Sequence, residues 1–131
     1  MMKLASIIVF TSTLLLGACA HNTAGIAVDS NGQVRVDSSS FASDVNVTDI
    51  ASIMVGDLVK ASALIQSKSS YDQRVQYKFT WFDANGYTIE NEATSWKSVK
   101  LHGMQQLQVS AVAPNTQVSH FEIYVRETYS D

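Results

Sequence analysis

The stretch Val75-Gln76-Tyr77-Lys78-Phe79-Thr80-Trp81-Phe82-Asp83-Ala84-Asn85-Gly86-Tyr87 decides the fold. Val75, Tyr77, Phe79 and Trp81 alternate with Arg74, Gln76, Lys78 and Thr80. Strict alternation of this length marks a half-buried strand. Its aromatic face has to pack on a second layer, and its Arg/Lys face has to meet water. Asp83-Ala84-Asn85-Gly86 then supplies turn chemistry: Asp suits the first turn position, and Asn-Gly tolerates positive φ. The chain returns through Tyr87-Thr88-Ile89, which predicts a β-hairpin.

Working outward, the period stays at two. Leu58 to Gln66 places Val59, Ala61, Ala63 and Ile65 on one face. Met104 to Ala113 does the same with Leu107, Val109, Ala111 and Ala113. His120 to Arg126 turns Phe121, Ile123 and Val125 inward and Glu122 and Arg126 outward. Trp96 to Leu101 is a shorter run before a turn at His102-Gly103, and Val45 to Ile53 reads as an earlier strand. About seven short strands separated by turn signals predict an all-β fold, an antiparallel immunoglobulin-like β-sandwich over residues 45–131. A small closed barrel is the alternative. The absence of a Cys…Trp…Cys pattern excludes a disulfide-bonded immunoglobulin domain. Trp81, Trp96, Phe79, Phe121 and Tyr77 are the expected bulk of the core.

The first residues read as an address. Met1 to Lys3 carry one positive charge, and Leu4 to Leu16 carry none. An apolar run this short falls below the ~20 residues a bilayer-spanning helix needs. A basic start, a short apolar middle and small residues after it define a secretory signal peptide, residues 1–18. Leu16-Gly17-Ala18-Cys19 resembles the bacterial lipobox, with cleavage between Ala18 and Cys19 and lipidation of the Cys19 thiolate by acyl chains such as palmitate. Cys19 is the only cysteine in the chain, so no internal disulfide can form. More than one acyl chain on a residue exceeds what stable membrane attachment requires. Ala20, rather than Asp, follows the cysteine. By the sorting rule of enteric bacteria, that directs the protein to the outer membrane of a Gram-negative cell, facing the periplasm.

The chain has 131 residues, a length that fits one domain. Charged residues are 16% and hydrophobic residues 46%, which excludes a disordered chain, a collagen-like chain and a coiled coil. Net charge is −3, and no basic run offers a nucleic acid its phosphate contacts. Removing Lys3 with the signal leaves eight basic residues against twelve acids, or −4. Bulk charge therefore argues against attraction to acidic headgroups or lipopolysaccharide phosphates.

Residues 19–44 read as the lipidated cysteine and a Ser/Asp-rich tether. Within it, Gly25-Ile26-Ala27-Val28 and Gln33-Val34-Arg35-Val36 flank Asp29-Ser30-Asn31-Gly32, a hairpin signal. A flexible tether with a transient turn and an ordered first strand of the domain are both open on this pattern.

Taken together, the lipobox, the polar tether and Tyr77-Lys78-Phe79-Thr80-Trp81-Phe82-Asp83-Ala84-Asn85-Gly86 resemble the YcfL-like small lipoproteins of gammaproteobacteria, a domain of unknown function. The family pattern is an aromatic strand ending in Trp-Phe/Tyr-Asp and a turn with Gly. A Trp or Arg before a short apolar strand follows, and then a long final hairpin. Trp96, Val99-Lys100-Leu101 and the strands around Val109 and Ile123 match these, so the resemblance covers roughly residues 45 to 126. It implies a β-sandwich lipoprotein with no assigned enzymatic activity. Members are often encoded beside a lipoprotein that activates a peptidoglycan synthase. The tether here is longer and richer in Ser and Asp than the family pattern.

Catalytic patterns are few. His21 lies in the tether, His102 at a turn, and His120 beside Glu122 on an outward face. Without HxH, HExxH or a cysteine left after lipidation, no metal site is expected. There is no G-x-S-x-G elbow, P-loop or G-x-G-x-x-G. Glu90 and Glu92 share one strand face rather than opposing each other across a cleft. Asn46-Val47-Thr48 matches a glycosylation acceptor without meaning in a bacterial lipoprotein. No catalytic residue and no cofactor beyond the covalent lipid on Cys19 is expected. Phe82 and Tyr124 fall on the outward phase of their strands and, with Tyr87, form a candidate partner surface. An edge strand that takes up a partner's segment is a further route. The expected function is a non-catalytic interaction module for another envelope protein, with a small-ligand or peptidoglycan-binding module as the alternative. Surface tryptophan would favour the alternative.

Overall fold

The computed structural model describes residues 25–89 and 95–128. The lipobox, Cys19, His21, Glu90 and Glu92 lie outside them. In chain order the elements are β1 (Gly25–Asp29), β2 (Val34–Val36), α1 (Ser39–Asp44), β3 (Val45–Val55) and β4 (Leu58–Ser67). They continue with β5 (Gln73–Phe82), β6 (Thr88–Ile89), β7 (Lys97–Leu101), β8 (Gln106–Val112) and β9 (His120–Glu127). Six strands form one sheet in the order β2-β1-β9-β5-β6, with β7 also paired to β5. The order β3-β4-β8 forms the other. Neighbouring strands pair antiparallel throughout, as the alternating sequence requires. The two sheets enclose one core, so the sandwich expected from the sequence is the fold.

The strand phases follow from the alternation. On β5, Val75, Tyr77, Phe79 and Trp81 point inward, and Trp81 is 1% exposed. Phe79 stacks at 6.0 Å from Trp81, and Phe121 of β9 tilts against Trp81 at 5.8 Å. Ala61, Ala63 and Ile65 of β4 and Val109 of β8 close the core from the smaller sheet. Small residues on β4 leave room for the large aromatics opposite, which keeps the layer close-packed.

Residues 25–44 are part of this domain, so the expected boundary at Val45 moves back to Gly25. β1 pairs with β9 from Gly25↔Arg126 to Asp29↔Glu122, and Ile26 and Val28 are buried. Burial of these apolar side chains against the last strand offsets the ordering cost that a lone hairpin cannot meet. α1 follows because Ser38 caps it: its hydroxyl accepts from the Phe41 backbone N–H at 3.2 Å. Phe41, 4% exposed, plugs the core at this end.

The two Asp-x-Asn-Gly turns are built alike. The Asp29 carboxylate accepts from Asn31 N–H and Gln33 N–H, each at 2.9 Å. The Asp83 carboxylate accepts from Asn85 N–H at 2.9 Å and Tyr87 N–H at 3.0 Å. Gly32 and Gly86 take φ of 86° and 88°, which explains the glycine in each. A register shift in β3 between Thr48 and Ala51, with Asp49 at φ 55°, marks a β-bulge in this edge strand.

One core expectation is corrected. Trp96 is half-buried on the outer face of the larger sheet, not in the core. Its phase explains this. Ser98 and Lys100 pair with Gln76 and Arg74, which face outward, and Trp96 shares their parity.

Candidate functional site

Directly opposed residues of antiparallel strands share a face, so the register maps the outer surface of the larger sheet. Arg35, Ala27, Tyr124 and Lys78 lie in one row across β2, β1, β9 and β5. Gly25, Arg126, Gln76 and Ser98 lie in the next. A Cβ on Gly25 would sit 2.7 Å from Tyr124 Cε1 and clash with the Val125 carbonyl. The glycine thus lets the Tyr124 ring lie across β1, where its hydroxyl donates to Asp37 Oδ2 at 2.8 Å.

Trp96 completes this surface. The Arg126 guanidinium stacks on its ring at 3.7 Å, Lys78 Nζ stands 5.7 Å from its centre, and Tyr124 meets it edge-on at 5.9 Å. Arg126 Nε donates to Gln76 Oε1 at 3.0 Å, a neutral partner. Among the described residues, neither Arg126 nor Lys78 has a carboxylate within salt-bridge reach. Arg35, by contrast, faces Asp37 at 3.2 Å and Glu122 at 3.7 Å. Burial and the hydrogen bond to Asp37 push the Tyr124 phenol up to about 12, so it remains a donor at any physiological pH.

The three residues expected to form one patch do not. Phe82 stacks on His120 at 5.0 Å, and Tyr87 is 71% exposed on the adjoining turn. Tyr124 lies four residues along β9 from His120, about 13 Å at ~3.3 Å per residue. The sequence reading missed Trp96, Arg35, Asp37 and Arg126 as companions of Tyr124. The parity of Trp96 with Ser98 and Lys100 was the available signal; Asp37 reaches Tyr124 only through the β1–β9 pairing.

The molecule has two unlike ends. At the entry end, where β1 begins, Gln73 Nε2 donates to Asp44 O at 3.3 Å and Ser67 Oγ at 3.1 Å. There Asp72 accepts from Gly103 N–H at 3.2 Å and faces His102 Nδ1 at 3.5 Å and Lys100 Nζ at 3.6 Å. Desolvation raises the Asp72 pKa, but the Gly103 amide, His102 and Lys100 outweigh it and hold the carboxyl below the usual range. At the far end the β3–β4 ribbon leaves Ile53, Met54 and Val55 exposed at 62%, 61% and 47%. Among the described residues, no three His, Cys, Asp or Glu side chains converge to hold a metal ion. No helix among them is long and apolar enough to cross a membrane.

The fold and surface define a small two-sheet β-sandwich domain with an ordered cation–aromatic outer face. Residues 32–127 match the family described as "Protein of unknown function (DUF1425)", and the chain belongs to that family. A crystal structure of a DUF1425 family member from Shewanella sp. pv-4 is similar, at 51% identity and a TM-score of 0.63. That match covers 82% of this chain and 99% of the other. Campylobacter jejuni cj0090 shares the fold at 14% identity and a TM-score of 0.53, over 63% of this chain and 85% of its own. No curated protein matches.

Proposed function

We propose that this protein is a non-catalytic, YcfL-like lipoprotein, anchored in the outer membrane through Cys19 and facing the periplasm. Its sandwich serves as an interaction module for another envelope protein. The observation that carries this reading is the apolar ribbon Ile53-Met54-Val55, held away from the end at which β1 enters. Ile53 and Val55 share one face of this edge strand and Met54 takes the other. Exposed apolar side chains along a free strand edge are a contact site or a liability, and a folded domain keeps them where a partner covers them. A chain anchored at Cys19 would turn the entry end toward the membrane and the ribbon toward the periplasm. The lipobox Leu16-Gly17-Ala18-Cys19 supports the anchor, and Ala20 supports the outer membrane.

The test has two arms. Cys19→Ala should move the protein out of the outer-membrane fraction; unchanged fractionation refutes the anchor. A photo-crosslinking residue at Val55, on the same strand face as Ile53, should give in cells one envelope-protein adduct that Ile53→Glu abolishes. An adduct pattern indifferent to Ile53→Glu refutes the ribbon as the contact.

The alternative, a peptidoglycan-binding or small-ligand module, draws on the outward Trp96. A sugar stacks on an open aromatic face, however, and Arg126 already covers one face of this ring at 3.7 Å. The interaction reading is therefore preferred.

A further inference from the structure

We propose that the entry half of the larger sheet's outer face is an electrostatic docking surface for an anionic phospholipid membrane. This goes beyond the proposed function and does not depend on lipidation of Cys19.

The argument starts from where the charges lie. Bulk composition is acidic, but the strand register sorts it. Arg74, Lys100 and Arg126 lie on the outer face of the entry half, set by Arg74↔Lys100 and Gln76↔Arg126, with Lys78 in the row beside them. Lys68 and Lys97 stand at the same end but off that face, since Lys68 follows β4 and Lys97 opposes the inward Tyr77. The carboxylates Asp44, Asp72 and Glu127 share that half, and Arg35 and Asp37 pair with each other there. The far half carries Asp29, Asp49, Asp57, Asp83 and Glu122, with Lys60 the one described cation among them. Among the described residues, the domain is thus basic at one end and acidic at the other. Local field, not net charge, decides approach to a charged surface within a Debye length of ~8–10 Å.

The second observation is chemical. Trp96 lies on this same face between Arg126 and Lys78, two cations without carboxylate partners among the described residues. An amphipathic ring flanked by long basic side chains is the residue set that rests at the headgroup level of a bilayer. The phosphates would take the role of the missing counter-charge. β1 enters the sheet at Gly25, beside Arg126, so this surface is also where an N-terminal anchor would hold the domain nearest the membrane.

The test uses the mature-length chain from Ala20 to Asp131, because the Shewanella relative aligns over 99% of its own length with 82% of this chain and folds as such. Binding is measured by co-sedimentation with neutral phosphatidylcholine vesicles and with vesicles containing phosphatidylglycerol. Quenching by brominated lipid chains is read on the tryptophan emission. Trp81 is 1% exposed, so accessible quenching reports Trp96. Binding is expected only with phosphatidylglycerol and should vanish in high salt. Each cation near such a surface is worth about a fivefold change in partitioning. Arg74→Glu with Lys100→Glu, both exposed on the outer face, should therefore lose at least tenfold. Arg74→Gln with Lys100→Gln should lose less, and Lys60→Glu should lose nothing. Equal binding to neutral vesicles, or equal loss with Lys60→Glu, overturns the proposal. Binding without quenching of Trp96 assigns another face and overturns it too. So does a Trp96 response to soluble peptidoglycan fragments and not to vesicles, which would favour the glycan module.

Discussion

Trp81 and Trp96 flank opposite faces of the same sheet and are held there by different forces. Trp81 is enclosed by Phe79 and Phe121 and owes its place to apolar burial. Trp96 is half-buried under a guanidinium and beside a phenol, and owes its place to cation–π contact and edge-on aromatic packing. The difference teaches that residue type does not set location in this sheet. Strand parity does: one residue's slip exchanges the two environments.

The largest test of that contrast is a pair of truncations. Trp81→Ala should cost about 3–5 kcal/mol of unfolding free energy. Trp96→Ala should cost about 1–2 kcal/mol, the scale of a cation–π contact. Denaturant melts of both variants check this, and equal losses would erase the distinction between the faces. A smaller effect probes how the outer face is assembled. Gly25→Ala should destabilise by about 1–3 kcal/mol, because its Cβ meets Tyr124 and the Val125 carbonyl. The same melts should show Tyr124→Ala in the Gly25→Ala background recovering little, since the carbonyl clash remains. The smallest effect is in alkali. The Tyr124 phenol titrates near 10 when unfolded and at about 12 when folded. An acid whose pKa is raised on folding adds stability that is complete below pH 10 and lost as pH rises toward 12. Tyr77 is also raised by burial, so the reading is a difference. Between pH 8 and 11 the urea midpoint of the wild type should fall more than that of Tyr124→Phe.

Much of the sandwich was legible because its signals are local. The alternation of Tyr77, Phe79 and Trp81 gave the phase of β5, and Asp83-Ala84-Asn85-Gly86 gave its turn. What failed was what local pattern does not carry. Residues 25–44 have the composition of a tether, and β1 becomes a strand only because β9, some ninety residues later, lies beside it. The size of Trp96 suggests the core, but its parity with Ser98 and Lys100 points outward. The outer cluster escaped because Asp37, Tyr124 and Trp96 come together only through three separate pairings. The apolar segment Ile53-Met54-Val55 was legible as strand, but not as an exposed edge, since the pairing order β3-β4-β8 is what leaves β3 outermost.

The position of β9 has a kinetic consequence. Among the described residues it is the last strand, and it lies between β1 and β5 near the middle of the larger sheet. Until it emerges, β1 and β2 have nothing to join, and β5 lacks its longest neighbour. Non-local pairing of this kind closes slowly. The domain therefore cannot complete itself while its C-terminus is still being made. A chain that still lacks this strand therefore stays extensible, with both halves of the larger sheet left open.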